Sequence, residues 1–187
     1  MLLLYTNTQG ADESRARLPG HSRATGSAFA RSLLALAWER RYGGALPEIE
    51  YPERGKPFFP ERPDVHFSIS HTRGVVLCAI GGIEVGADVE RPRKITAALE
   101  KRVLSPEEAA QFDFFEVWTL RESYFKLSGQ GGPSSPRFRR AGGAVCCEGD
   151  KVRCVLTRLL GCPAALCTWE PTGFFCEEIP VEALLRE

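Results

Sequence analysis

Acidic and basic side chains occur in two stretches of this sequence, about thirty residues apart. One stretch reads GADVE, ends an apolar run and contains Asp88 and Glu90; the other reads WTLRESYFK, has a helical pattern and contains Glu122 and Lys126. Alternate residues of a strand share a face, and residues four apart on a helix lie one turn apart. Three carboxylates and an ammonium could therefore meet at one site, a combination that suits Mg²⁺ shared with a phosphate-bearing substrate.

Each group in this candidate site also has a simpler interpretation. A DxE sequence at a strand end can pair with the basic residues that follow it, and taken alone it favours that interpretation. The helical pattern puts Glu122 on the same side as Phe115, Trp118 and Phe125, which we expect to form the buried stripe. A carboxylate on that side needs a cation, and either Lys126 within the helix or a bound metal would supply it.

Composition limits the classes of protein that fit. The chain has 187 residues, 43% of them hydrophobic, and Lys plus Arg equals Asp plus Glu at 24 each. These values indicate a globular protein without the net charge that favours nucleic acid or membrane partners, so we expect neither. The apolar start is too short for a signal peptide, which predicts a cytoplasmic protein. Seven cysteines without a CxxC pair show no zinc-ligand spacing and predict reduced, mostly packed thiols rather than a disulfide framework.

Hydrophobic periodicity predicts a mixture of helices and strands. A first strand is expected at Leu2–Tyr5 and an amphipathic helix over Thr25–Arg41, ended by the glycine pair that follows. Period-two patterns then predict an antiparallel meander of three strands within residues 65–89. Ser105 and Asp113 are expected to begin two helices, of which the second ends at Gly129. Later strands are predicted around residues 144–147, 152–159 and 164–169.

Helix followed by hairpin strands occurs twice along the chain, and Val75–Ala79 resembles Ala164–Thr168 in sequence. The fold class predicted is therefore α+β. We expect two similar half-domains, residues 1–94 and 95–187, each a helix packed on a small antiparallel sheet. A pseudo-two-fold axis would relate them, with the site in the cleft between them.

Four motifs in order carry a resemblance to a known family: GKP at residues 55–57, FSISHT at 67–72, GADVE at 86–90 and WTLRESYFK at 118–126. In type, order and spacing they resemble those of the 4′-phosphopantetheinyl transferases, specifically the surfactin-synthetase-activating type. The likeness runs from about residue 23 to 126 and returns more faintly over 164–185. That family moves the phosphopantetheine arm of coenzyme A onto a serine of an apo acyl or peptidyl carrier protein, releasing adenosine 3′,5′-bisphosphate.

The resemblance implies a role for each matching residue. The implied Mg²⁺ ligands are Asp88, Glu90 and Glu122. The implied contacts to coenzyme A are Lys126 and Arg121 at the phosphate charge, Ser70 and His71 at other phosphates, Lys56 at the nucleotide pocket and Arg23 near the 3′-phosphate. Either Glu122 or a water on the metal would take the proton of the carrier serine. Arg121 stands where the family usually has lysine.

The resemblance also implies the assembly and the partners. Small relatives with about one half per chain form trimers, whereas this chain holds both halves, so we expect a monomer. Carrier proteins are acidic, and Arg137, Arg139 and Arg140 are candidate docking residues. Two alternatives stay open: a catalytically idle relative that binds coenzyme A or a carrier, and a metal-dependent nuclease. Neutral net charge argues against the nuclease.

Overall fold

A computed structural model describes residues 1–19, 28–53 and 55–186 of the chain. Its main elements, in chain order, are β1 (Leu2–Asn7), α1 (Ala28–Tyr42), β2 (His66–Thr72), β3 (Val75–Gly81), β4 (Val85–Val89), α2 (Ala97–Val103), α3 (Pro106–Ala109), α4 (Phe114–Ser128), β5 (Phe138–Ala141), β6 (Ala144–Cys147), β7 (Arg153–Leu159), β8 (Cys162–Thr168) and β9 (Phe175–Glu178). Two compact units result: unit 1, Met1–Ile83 with Thr172–Glu187, and unit 2, Glu84–Pro171. The α+β class predicted from the sequence is confirmed.

Unit 1 is a four-stranded sheet with one long helix, in the strand order β2-β3-β1-β9. Helix α1 buries Phe29, Leu33 and Leu34 in the core of this unit. It ends before Gly43, whose φ of +77° is a conformation that glycine adopts readily. The prediction of this helix is confirmed in place; its expected first residues, 25–27, lie outside the described part of the chain. The prediction of an antiparallel sheet is wrong for one pair of strands, because β9 pairs with β1 in parallel.

Unit 2 is a five-stranded antiparallel sheet in the order β4-β8-β7-β6-β5. Strand β8 is buried along its whole length, as β3 is in the other sheet. Helix α4 packs mainly on β4 and β8. Its side toward the sheet carries Leu120, Ser123 and Leu127, all buried. The predicted later strands are confirmed as β6, β7 and β8, whereas α2, β5 and β9 were not predicted.

The predicted three-stranded meander is wrong in its third strand. Strands β2 and β3 form the expected hairpin, but β4 pairs with β8 and lies in the other sheet. A strand buried on both faces carries no period-two signal that would tell which sheet it joins. The structure accordingly divides the chain after Ile83 and returns its C-terminal segment to unit 1, whereas the predicted boundary lay after residue 94.

The helix ends in unit 2 follow the local signals in the sequence. Ser105 and Glu108 form a capping box at the start of α3, and Asp113 and Glu116 form another at the start of α4. Gly129 ends α4 with a φ of +70°. These short-range predictions are confirmed because capping groups lie within one turn of the backbone atoms that they satisfy. Within the described ranges, no helix has both the length and the apolar character needed to cross a membrane.

Gly86 sets the distance between α4 and β4. A Cβ at this position would lie 1.9 Å from the carbonyl oxygen of Ser123 and 2.6 Å from the backbone nitrogen of Leu127. The Ser123 hydroxyl donates a hydrogen bond of 2.8 Å to the carbonyl of Ala165 on the neighbouring strand. The helix backbone therefore rests directly on the strand, which brings the side chains of both acidic stretches together.

We expect Gly86→Ala to lower the free energy of unfolding by about 3 kcal/mol or more, because the clashing atoms belong to the backbone and cannot rotate away. Urea denaturation followed by circular dichroism measures the change. Gly173→Ala is the matched control, since an added Cβ there meets nothing within 4 Å. Equal stability of the two variants would contradict the close packing of α4 on β4.

Candidate functional site

The two acidic stretches meet where α4 crosses β4. Asp88 is the penultimate residue of β4, is buried, and accepts a hydrogen bond of 2.8 Å at Oδ1 from the ammonium of Lys126. Lys126 Nζ also donates to the carbonyl of Ala87, at 3.2 Å. The ammonium is thus held at the strand by a buried carboxylate and a backbone carbonyl. The sequence pattern placed both residues at the candidate site, but it did not predict that they pair with each other.

Glu90 lies just beyond β4 and is anchored on both sides. Its backbone N–H donates to the carbonyl of Pro163, at 3.0 Å. Its side chain is 20% exposed and accepts from Arg93 Nη1 at 2.7 Å. The guanidinium of Arg93 also lies over the ring of Phe115, at 5.3 Å from the centroid. The simpler interpretation of this acid, pairing with a following basic residue, is therefore confirmed, and the carboxylate is held in a defined place.

Glu122 is half-buried on α4, one turn before Lys126. Desolvation raises the pKa of this carboxyl above its ordinary value, and the negative charges of Asp88 and Glu90 raise it further. Lys126 opposes the shift because its positive charge favours the ionised form. The charges of Asp88 and Glu90 thus both lie close enough to repel that of Glu122, and the ammonium of Lys126 does not cancel this repulsion.

An apolar pocket of about 200 Å³ adjoins Glu122. Its walls are formed by Trp118, Arg121, Glu122, Phe125, Gly131, Gly132 and Pro133. Trp118 and Phe125 share a side with Glu122 as expected, but Trp118 is only half-buried and Phe125 is 50% exposed, so they do not form the predicted buried stripe. Other residues of α4, among them Leu120 and Leu127, lie on the side toward the sheet and fill the core instead. Sequence reasoning missed this pocket, since apolar spacing does not distinguish a core from a cavity.

Arg121 lines the pocket, but its guanidinium is bound to other groups of unit 2. The side chain is 4% exposed and forms a bidentate ion pair with Glu108, at 2.7 and 2.8 Å. A guanidinium has five N–H donors, and the other three are bound to backbone carbonyls within unit 2. Burial lowers the pKa of Arg121, and the charge of Glu108 opposes that shift. The expected phosphate contact is therefore not supported by this geometry, because no donor is left for it.

The remaining predicted residues belong to unit 1. Lys56 is half-buried in the connection between α1 and β2. Ser70 and His71 are neighbours on β2, where successive side chains leave opposite faces, and accordingly Ser70 is buried while His71 is exposed. Arg23 lies outside the described residues.

The side chains of Asp88, Glu90 and Glu122 fit a divalent cation in their chemistry, although they are not arranged around one. Among the residues described, no three His, Cys, Asp or Glu side chains converge in an arrangement ready to hold a metal ion. Carboxylate oxygens are nonetheless the preferred ligands of Mg²⁺, and a cation beside Glu122 would offset the charges of Asp88 and Glu90, which add to desolvation in raising its pKa. All three side chains come from the contact between α4 and the end of β4.

We expect Glu122→Gln to stabilise the protein increasingly as pH rises. The raised pKa means that the folded state binds a proton more tightly than the unfolded state, so the wild-type free energy of unfolding falls as pH rises between the two pKa values. The amide of the Glu122→Gln variant does not titrate, so its free energy of unfolding does not fall with pH for this reason. Urea denaturation at about pH 4 and about pH 8 measures the difference, with Glu84→Gln, at an exposed position, as control. A difference from wild type that is the same at both pH values would contradict the shift.

Comparison with known proteins agrees with this site. Residues 84–160 match the model of the 4′-phosphopantetheinyl transferase superfamily, and this stretch includes both acidic motifs. A 4′-phosphopantetheinyl transferase of Bacillus subtilis is 34% identical over 111 residues, which cover 53% of this chain and 50% of the relative. The B. subtilis strain 168 transferase Sfp is 32% identical over 123 residues, covering 59% and 53%. HetI of Nostoc is 31% identical over 142 residues, covering 65% and 58%.

The chain thus spans about half the length of the relatives that it matches. The match of the superfamily model lies within unit 2, where the carboxylates and Lys126 meet. Over residues 84–160 the chain is therefore similar to the 4′-phosphopantetheinyl transferase superfamily, the same family that its sequence motifs resemble.

Proposed function

We propose that this protein transfers the 4′-phosphopantetheine group of coenzyme A to a serine hydroxyl of an apo acyl or peptidyl carrier protein. In the reaction, the serine oxygen forms a bond to the phosphorus that carries pantetheine. The bond from that phosphorus to the bridging oxygen of the pyrophosphate breaks, which releases adenosine 3′,5′-bisphosphate. The observation that carries the proposal is the cluster of Asp88, Glu90, Glu122 and Lys126, within the stretch that matches the superfamily.

A magnesium ion would be held by Asp88, Glu90 and Glu122. When bound, it supplies positive charge that stabilises the pyrophosphate and the leaving bisphosphate. The support is the raised pKa of Glu122, which comes first from desolvation and then from the charges of Asp88 and Glu90, whose repulsion a cation would offset. Lys126 is held beside Asp88 and is only 28% exposed, so its ammonium would meet phosphate oxygens in partly dehydrated surroundings, where the attraction is strong.

Glu122 is also our candidate for the group that accepts the serine proton. A general base works best when its pKa is near the working pH, and burial and like charges move the pKa of Glu122 in that direction. Its position at the edge of the apolar pocket supports the same role. The pantetheine arm is long and uncharged, and we propose that it enters between Trp118, Phe125 and Pro133.

Other contacts to coenzyme A and the carrier stay part of the proposal. Lys56, Ser70 and His71 would bind phosphate or nucleotide groups, as would Arg23. For the acidic carrier we propose Arg137, Arg139 and Arg140, each with at least part of its side chain exposed. A monomer, and a pseudo-two-fold relation between the two halves, are proposed on the resemblance.

We expect the protein, incubated with coenzyme A, Mg²⁺ and an apo carrier domain, to add one phosphopantetheine to the carrier, as measured by intact mass. Asp88→Asn and Glu122→Gln should each lower kcat/KM by about 100-fold or more, because each removes a carboxylate that would hold the cation against the pyrophosphate. Glu84→Gln is the matched control. Binding of coenzyme A without transfer to any of several carriers would favour the idle relative, and cleavage of nucleic acid would favour the nuclease.

We expect Mg²⁺ to raise the melting temperature of the free protein by a few degrees at saturation, because it binds the folded state only. Glu90→Gln should reduce this rise, since it removes one carboxylate oxygen donor and breaks only an exposed pair with Arg93. A thermal scan over a Mg²⁺ series tests this without any transfer reaction. An equal rise in Glu90→Gln and Glu84→Gln would remove Glu90 from the ligand set.

A further inference from the structure

Arg121 connects α4 to the segment that follows it, Gly129–Pro136. Its Nη1 donates to the carbonyl of Pro133 at 2.7 Å, and its Nε donates to the carbonyl of Pro136 at 2.8 Å. The second Nη1 donor reaches the carbonyl of Val103, at 2.6 Å. One side chain thus holds two points of the segment and one end of helix α2.

The segment needs such a support because its own backbone contacts are few. Gly132 and Ser135 exchange two backbone hydrogen bonds, at 2.8 and 3.2 Å. Proline has no N–H group and cannot add to a ladder, so Pro133 and Pro136 take part only through their carbonyl oxygens. Those two oxygens are bound by Arg121. The conformation of the segment therefore depends on a side chain from a different element.

The same segment forms one wall of the pocket beside Glu122, through Gly131, Gly132 and Pro133. The facing wall is α4, through Trp118 and Phe125. Arg121 belongs to α4, next to Glu122 in sequence, but its guanidinium is buried and reaches the segment. Both walls are therefore tied to each other by Arg121.

We infer that Arg121 is a positioning residue, which sets the pocket wall at Gly131–Pro133 and so the fit of substrate beside Glu122. It acts through the carbonyls of Pro133 and Pro136 rather than by touching phosphate. The planar guanidinium is suited to this role, because its five donors point in different directions from one rigid group. The compact ammonium of lysine has three donors on one atom and cannot bind Glu108 and three separate carbonyls together.

Hydrogen exchange of the free protein, followed by mass spectrometry, tests the inference without any substrate. Arg121→Lys should speed exchange in peptides from residues 129–137 by about tenfold or more, because hydrogen bonds to a charged donor are lost. Exchange in β8 should change much less. Arg139→Lys, at an exposed position on β5, is the matched control. Equal acceleration in the segment and in β8, or none in either, would overturn the positioning role.

A second variant separates positioning from overall stability. Glu108→Gln removes the charge pair but keeps the three carbonyls that Arg121 binds, so exchange in residues 129–137 should stay near the wild-type rate even where β8 exchanges faster. Faster exchange of the segment than of β8 in Glu108→Gln would overturn the inference. This variant also decides the question if Arg121→Lys does not fold.

The consequence for substrate rests on the proposed function. In the transfer reaction, Arg121→Lys should raise KM for coenzyme A by about fivefold to tenfold and change kcat by less than about twofold, because the wall affects binding more than the reacting groups. A fall in kcat at unchanged KM would overturn this role. If the wild type transfers nothing, the proposed function fails, whereas the exchange experiment still decides whether Arg121 positions the wall.

Discussion

The buried pair of Glu108 and Arg121 is the contact on which the order of unit 2 depends. Glu108 is 1% exposed and Arg121 4%, so both charges have lost nearly all contact with water. Burying an ion costs several kcal/mol unless its partners are complete. Glu108 therefore also accepts from the backbone of Ser105 and Phe138. Completing the hydrogen bonds of Glu108 ties α3, α4 and β5 together, while the carbonyl contacts of Arg121 hold the segment after α4.

The two sides of helix α4 have different surroundings. The side toward the sheet is packed so tightly that only glycine fits at position 86 of β4. The other side carries Trp118, Glu122 and Phe125, which are left partly exposed around the pocket. Because the backbones of α4 and β4 touch, the ammonium of Lys126 reaches Asp88. The packing that stabilises the unit is thus also what collects its charges.

The local signals in the sequence were enough for much of the fold. Capping residues and glycines set the ends of α4, and apolar periodicity placed the long helices and most strands, since these depend on atoms within one or two turns. The pairing of the strands was harder to predict from the sequence. Strand β4 is buried along its whole length, so its pattern did not indicate that it leaves the hairpin of β2 and β3 to pair with β8. The short elements α2, β5 and β9 lacked a pattern of their own.

At the site, the sequence by itself determined which groups are present: the acids of the DxE motif, Glu122 and Lys126, in motifs that resemble a known family. Their types and spacing are local properties, so they can be read from the chain. Only the tertiary structure decided that Lys126 binds Asp88, that Trp118 and Phe125 line a pocket, and that Arg121 is turned inward to Glu108. Residues 108 and 121 are distant in sequence, and their pairing follows from the need to neutralise buried charge, which no local pattern records.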